Sequence, residues 1–470
     1  MPIALRFLGA ADTVTGSCYV LETPSGAIMI DCGMFQGSAR IERRNQTFDH
    51  GKLDIAAVVL SHAHLDHVGR LPMLAKRGFR GPVFATEASR DLAKIVLLDS
   101  AGIHEDHARR ALRRMRAGKR YEPADLHPLY TTTDVLVTLD LFARDIAYDH
   151  AFDVLPGVRA TFRDAGHILG SAFVELSIVR PGLTPLRLTF SGDIGNLDKP
   201  IVRDPVWPGP ADVVMLESTY GDRDHRSFAQ SVAELEELIR DVVEHRKVML
   251  IPSFALERTQ ELLFVLQGFW CQGLLARVPV VVDSPMACDA TEIFARHPEC
   301  YDEQLTRLIA GGESPFSWGE LSYVRTSDES RRLNDLDGPL IIIASSGMCN
   351  GGRILHHLRN RLHSPKTLVV FVGYQASGTL GRQLIDGERK VTIYGREIEV
   401  RAATATLNGF SAHGGRQTLL AWYEKTGPAP TVILIHGEES VIGPFGRLIA
   451  TRFGTHTVNP AHGERLVLEA

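Results

Sequence analysis

Nowhere does this chain carry an apolar run approaching the roughly 18 residues that a membrane-spanning helix needs. The longest runs, such as 367–372 or 431–435, have the length of strands. A helical membrane span is therefore excluded, and no membrane partner is expected. Cysteine is scarce: Cys18, Cys32, Cys271, Cys288, Cys300 and Cys349 are the only six in 470 residues. No two stand at C-x-x-C spacing, so reduced, mostly buried thiols in a cytoplasmic protein are expected. Positive charge is not in excess either. The net charge of −5 argues against a generally basic nucleic-acid binder and leaves room for a locally basic channel. An acidic balance also suits carboxylates that hold metal ions, whose charge offsets theirs. There is no internal repeat and no low-complexity tract. Residues 1–10 are mildly apolar, lack a cleavage region and are read as a first strand.

What is present describes a globular protein, with 44% hydrophobic and 23% charged residues. The length predicts two domains. Strands alternate with helices: a buried strand at 56–61, a helix near 68–77, a strand at 83–86 and a helix from Glu87. The Arg-rich stretch with Arg109, Arg110, Arg113, Arg114, Arg116, Lys119 and Arg120 reads as the solvated face of a helix. Three strands follow between 158 and 193. Beyond Trp207-Pro208-Gly209-Pro210 the texture changes to short, wholly apolar strands separated by helices, as in 212–216, 248–251, 278–282, 340–344 and 367–372. That is the pattern of a parallel sheet wound with helices. It predicts a second α/β domain at 209–375, inserted into a first domain made of 1–208 and 376–470.

The strongest chemical signal is Ser61-His62-Ala63-His64-Leu65-Asp66-His67, after the strand at 56–61. His62 and His64 are two apart, so in an extended segment they face the same way. Asp66 and His67 stand where a helix starts and can turn toward a second ion. Imidazole and carboxylate ligands suit zinc, with manganese or iron as alternatives. His167, in Gly166-His167, and Asp193, in Gly192-Asp193, each end an apolar strand beside a glycine that lets the backbone turn sharply.

The order His-x-His-x-Asp-His, a lone His, then a lone Asp resembles the metallo-β-lactamase superfamily, and Asp31 in Ile30-Asp31-Cys32-Gly33 matches that family's early Asp. The resemblance implies an α/β fold, a four-layer αββα sandwich with metals at the sheet edge. It implies His62, His64 and His167 on a first zinc, Asp66 and His67 on a second, and Asp193 between them. Asp31 would orient ligands by hydrogen bonds. Two such ions lower the pKa of a shared water and neutralise phosphoryl charge, so a metal-bridged hydroxide is the expected nucleophile.

Three later motifs are similar to those of the β-CASP branch, the nucleic-acid nucleases of this superfamily. Glu217 in Leu216-Glu217-Ser218-Thr219-Tyr220-Gly221 matches the first. His413 in Phe410-Ser411-Ala412-His413-Gly414 matches the second, and His436 in Ile435-His436-Gly437-Glu438 the third. The resemblance makes His436 a ligand of the second zinc and gives His413, supported by Glu217, the protonation of the leaving oxygen. In this branch a His at the third motif goes with RNA. Gly9 to Tyr19 and Gly33-Met34-Phe35-Gln36-Gly37 resemble most the group of the cleavage-and-polyadenylation endonuclease and its prokaryotic relatives. The expected activity is thus a zinc-dependent endoribonuclease acting on single-stranded RNA, with catalysis resting on Asp66, His413, Glu217 and Asp31. A DNA nuclease, a thioester or lactam hydrolase and an inactive RNA-binding scaffold are the competing readings, and a homodimer is left open.

A phosphate site is also expected. Ser345-Ser346-Gly347-Met348-Cys349-Asn350-Gly351-Gly352-Arg353 joins a strand to a helix, and free N–H groups there suit an anion, with Arg353 to pair with it. Ser377 and Thr379 in the later strand-to-helix turn fit the same part or a helix cap. His356, His357 and His363 are read as surface residues.

Overall fold

The computed structural model describes residues 2–47, 53–117, 126–143, 146–376, 378–427 and 431–468. Lys119, Arg120 and Ser377 lie outside them. The chain forms two compact units, one of 1–197, 204–224 and 413–470, the other of 198–203 and 225–412. Among the described residues no helix is long and apolar enough to cross a membrane.

The first unit is built on two sheets. One has six strands, ordered Arg465–Val467, Ala4–Gly9, Cys18–Thr23, Gly26–Ile30, Ile55–Val59 and Val83–Phe84. The other has seven, ordered His456–Val458, Thr431–Ile435, Val213–Glu217, Leu186–Phe190, Ala172–Ile178, Val158–Asp164 and Ala151–Leu155. Side chains alternate across a strand. Phe7, Tyr19, Leu21, Ile28 and Val59 of the first sheet therefore share one buried core with Phe162, Leu176, Leu188, Phe190, Met215 and Ile433 of the second. The alternate residues of the second sheet, Phe173, Val214, Leu216, Val432 and Leu434, pack beneath helices Arg416–Glu424 and Glu439–Phe453 through Leu419, Trp422, Phe445 and Ile449. Val20, Met29 and Val58, on the other face of the first sheet, are fully buried as well. This is an αββα sandwich.

The second unit holds a six-stranded sheet in the order Leu321–Tyr323, Val280–Val282, Leu340–Ala344, Val248–Pro252, Thr367–Phe371 and Ala403–Thr406, every pair parallel. Its four inner strands are buried throughout and accordingly read as largely apolar runs. Strand Ala403–Thr406 pairs with Thr367–Phe371 and so carries this unit to residue 412, past the limit of 375 read from the sequence.

Candidate metal centre

Every residue of the centre leaves the C-terminal end of a strand of the first unit or the loop that follows it. Strand Ile55–Val59 delivers the segment with His62 and His64, and the short helix Leu65–Val68 turns Asp66 and His67 inward. Strand Val158–Asp164 leads to His167, Leu186–Phe190 to Asp193, Val213–Glu217 ends on Glu217, and Thr431–Ile435 leads to His436. Asp31 and His436 take positive φ, 54° and 51°, where L side chains are strained by about 1–3 kcal/mol. Both are the first residue beyond a strand, and the left-handed turn aims each side chain into the site. Gly33 is needed for a different reason: a Cβ there would lie 1.5 Å from the Asp66 carbonyl oxygen, so only glycine lets the ligand loop approach.

Three candidate ligand groups occur among the described residues; the two that share no residue are His62, His64, His167 and Asp193, and Asp66, His67 and His436, while the third joins Asp193 and His436 with Glu217. His64 Nδ1 is 3.1 Å from both His62 Nε2 and His167 Nε2. His67 Nε2 is 3.1 Å from His436 Nε2, and His436 Nε2 is 3.6 Å from Asp66 Oδ2. Asp193 Oδ2 lies between the groups, 3.6 Å from His62 Nε2, 3.5 Å from His167 Nε2 and 3.3 Å from His67 Nε2. Tetrahedral nitrogen ligands at zinc–nitrogen distances of about 2.0–2.1 Å are roughly 3.3–3.4 Å apart, so this convergence fits a metal ion. Asp193 Oδ1, buried without a hydrogen bond, fits one too.

The protonation states agree with that fit. Burial pushes His64 down to about 4 and His62 and His167 well below their ordinary value. Asp193 is held well below the usual carboxylate range, because the imidazoles of His436, His67 and His413 overcome its burial. Neutral imidazoles beside ionised carboxylates are what ligation requires. Burial works against a charged His67, but Asp193 and Asp31 outweigh it and raise it well above its ordinary value. Positive charge is favoured at that nitrogen, from a proton or from a metal ion.

Neighbouring groups orient the ligands. Asp31 is fully buried. Its Oδ2 lies 2.7 Å from His67 Nδ1 and accepts from Ser61 Oγ at 2.8 Å and Ser17 Oγ at 3.3 Å, while its Oδ1 accepts from Ser61 N at 2.8 Å. His67 therefore donates through Nδ1 and turns the lone pair of Nε2 to the centre. Thr219 does the same for His436. Its hydroxyl donates to the His436 carbonyl at 3.2 Å, so it accepts from Nδ1 at 3.1 Å and leaves Nε2 facing His67. Sequence reasoning missed Thr219, Ser61 and Ser17. Thr219 had a readable signal, since it stands two residues after Glu217 in the same motif.

His413 lies beside the ligands, its ring 4.5 Å from that of His167 and its Nδ1 3.3 Å from Glu217 Oε1. Glu217 is fully buried and also accepts from the backbone N–H groups of Ile194 and Thr219. Burial disfavours the imidazolium of His413, yet the carboxylates of Glu217 and Asp193 push it up to about 9.

The phosphate loop expected in the second unit is arranged otherwise. Arg353 Nη1 donates to Asp283 Oδ1 at 2.6 Å and to the Val324 carbonyl at 3.0 Å, and Nη2 to the Arg325 carbonyl at 2.6 Å. The guanidinium is thereby taken up by the protein. Ser346 Oγ accepts from Asn350 N at 3.2 Å and Gly351 N at 3.3 Å, closing the Ser345–Gly347 turn on itself. Thr379 caps the helix Leu380–Ile385, accepting from Arg382 N at 3.1 Å. No anion site is assigned to these residues. His357 is not on the surface: it is buried, with Nε2 2.7 Å from Asp283 Oδ2.

Comparison with known proteins agrees with this architecture. The metallo-beta-lactamase superfamily model matches residues 11–91, the Beta-Casp domain model 259–384, and the model of the Zn-dependent metallo-hydrolase RNA specificity domain 397–460. Ribonuclease TTHA0252 of Thermus thermophilus is 38% identical over 444 residues, covering 94% of this chain and 95% of that protein. Transcription termination factor FttA of Methanocaldococcus jannaschii is 31% identical, covering 97% of this chain and 70% of its own. A solved structure of a protein of unknown function from Enterococcus faecalis V583 aligns over both whole chains with a TM-score of 0.53 at 12% identity, a likeness of fold alone. With its seven motifs gathered around the strand ends of the first unit's two sheets and a relative 38% identical over 94% of this sequence, the chain belongs to the β-CASP metallo-hydrolases of the metallo-β-lactamase superfamily.

Proposed function

We propose that this protein is a zinc-dependent endoribonuclease that hydrolyses phosphodiester bonds of single-stranded RNA in the cytoplasm, with the second unit as its β-CASP domain. The observation that carries the reading is His436, whose Nε2 stands 3.1 Å from His67 Nε2 in the second ligand group. A His at this motif goes with RNA substrates in the resemblance described above. The match of the RNA specificity model to the segment holding His413 and His436 supports it, as do the names of the relatives.

His62, His64 and His167 would hold a first ion, Asp66, His67 and His436 a second, and Asp193 both. Two zinc ions there would supply Lewis acidity, activating water and offsetting phosphoryl charge. The protein's own groups do the rest. Asp31 and Thr219 fix which nitrogens of His67 and His436 face the centre. Glu217 accepts from Nδ1 of His413 and so keeps a proton on that ring beside the reacting phosphate, where it can pass to the leaving oxygen.

The test is purified protein with zinc and end-labelled single-stranded RNA and DNA of matched sequence, resolved by product size. Internal cuts in RNA, absent with Asp66→Ala and His67→Ala, are expected. Equal cutting of DNA would replace the substrate. Turnover of a thioester or lactam without any nuclease activity would replace the function.

A further inference from the structure

The second unit carries two large aromatic side chains in the open at one edge of its sheet. Strands Leu340–Ala344, Val248–Pro252 and Thr367–Phe371 lie side by side and parallel. Ligands of open parallel sheets bind beyond the carboxyl ends of the strands. Phe254 stands just past the end of the middle strand and is 40% exposed, and Tyr374, just past Thr367–Phe371, is 49% exposed.

The exposure of Phe254 is not that of a loose loop. Its carbonyl accepts from Thr259 Oγ1 at 2.7 Å and from Ser253 Oγ at 3.2 Å. The ring rests on bare backbone. A Cβ on Gly347 would come within 2.7 Å of it, and one on Gly373 within 3.6 Å. The loops carrying those glycines are tied together by the buried Gln375, whose Nε2 donates to the Gly347 carbonyl at 2.9 Å and the Gly373 carbonyl at 3.1 Å. One flat ring is thus held on a rigid floor, with a second next to Gly373 along the same edge. Two rings are far less than the roughly 800 Å² per partner of a stable protein interface. They match the face of one or two nucleobases, which any base can present and which aromatic side chains bind by stacking.

We propose that Phe254 and Tyr374 form a stacking ledge for unpaired bases of the RNA, a sequence-tolerant subsite that selects single strands. This rests on the ribonuclease reading above. The decisive experiment measures equilibrium binding of a fluorescent single-stranded RNA, and of a ribose-phosphate oligomer of equal length without bases, to Asp66→Ala protein with and without changes at the ledge. Phe254→Ala is expected to weaken RNA binding about 5- to 150-fold, Phe254→Trp to restore it, and neither to alter binding of the base-free oligomer. Tyr374→Ala should act in the same direction and Tyr374→Phe should not.

Binding of RNA within twofold of the Phe254 protein, or an equal loss toward the base-free oligomer, overturns the ledge and leaves the ribonuclease reading standing. So does self-association that Phe254→Ala abolishes, which would make the edge a contact between copies. If the unmodified protein neither binds nor cuts RNA, the ribonuclease reading falls and the ledge with it.

Discussion

Replacing Asp31 by Asn changes one oxygen to an amide in a site where every contact is a donor. Oδ1 receives the Ser61 N–H, and Oδ2 receives Ser61 Oγ, Ser17 Oγ and His67 Nδ1. An asparagine has one acceptor oxygen, so one of two faults follows. If its oxygen stays on the Ser61 N–H, the amide nitrogen faces His67 Nδ1, which must become an acceptor. The ring proton then moves to Nε2 and blocks the nitrogen that faces the centre. If the amide is turned round, two donors meet 2.8 Å apart at Ser61, and a buried N–H goes unsatisfied at a cost of about 1–3 kcal/mol. Either way the ligand is held in the wrong state, while the volume of the residue is unchanged. Removing such a supporting carboxylate typically costs about 10- to 100-fold in metal affinity, or about 1.4–2.7 kcal/mol. Competition of wild-type and Asp31→Asn protein against a zinc chelator reads this directly, with circular dichroism to show that the fold is kept. Zinc affinity of the variant within twofold of wild type would refute the reasoning.

Glu217→Gln and His413→Ala should lower kcat about 10²- to 10⁴-fold with little change in KM, if His413 holds the proton for the leaving oxygen; steady-state cleavage of a labelled RNA checks the split. Gly33→Ala forces the 66–67 segment aside and should lower both Tm and zinc content, measured by calorimetry and elemental analysis. Asp283 gives the second unit an acid-sensitive joint. Burial opposes its ionisation, but hydrogen bonds from His357, Ser330 and Arg353 hold its carboxyl below the ordinary value. The stability it adds is complete above the unfolded value of about 3.9 and disappears as pH falls through the lower folded value. Asp283→Ala should cost about 3–5 kcal/mol at pH 7 in urea titrations, and less near pH 3; an equal loss at both would show that the charge is irrelevant.

The site was legible wherever its residues are neighbours in sequence or end apolar strands. His62 to His67 form one compact run, and His167, Asp193 and His436 each follow strands whose buried faces are plain in the sequence. The contacts that escaped reading are long-range. Arg353 stands in a glycine-rich turn that suits an anion, and nothing local says that Asp283, 70 positions earlier, claims its guanidinium. His357 is one turn further along the same helix face and meets the same carboxylate, so a histidine in a polar helix is buried. The second compact unit runs past the expected limit for a related reason. Strand Ala403–Thr406 reads Ala-Thr-Ala-Thr, sits at the sheet edge and is half exposed, so it lacks the apolar run that marks its neighbours.

Strand Thr431–Ile435 lies against Val213–Glu217, more than two hundred positions earlier, and His436 follows directly on it. The last imidazole of the centre is therefore added 369 positions after His67, which it faces. A nascent chain that has not reached Thr431 lacks both this strand and the imidazole that follows it. The centre is assembled only after that late strand has been made, a timing written into the order of the strands and requiring no inhibitor.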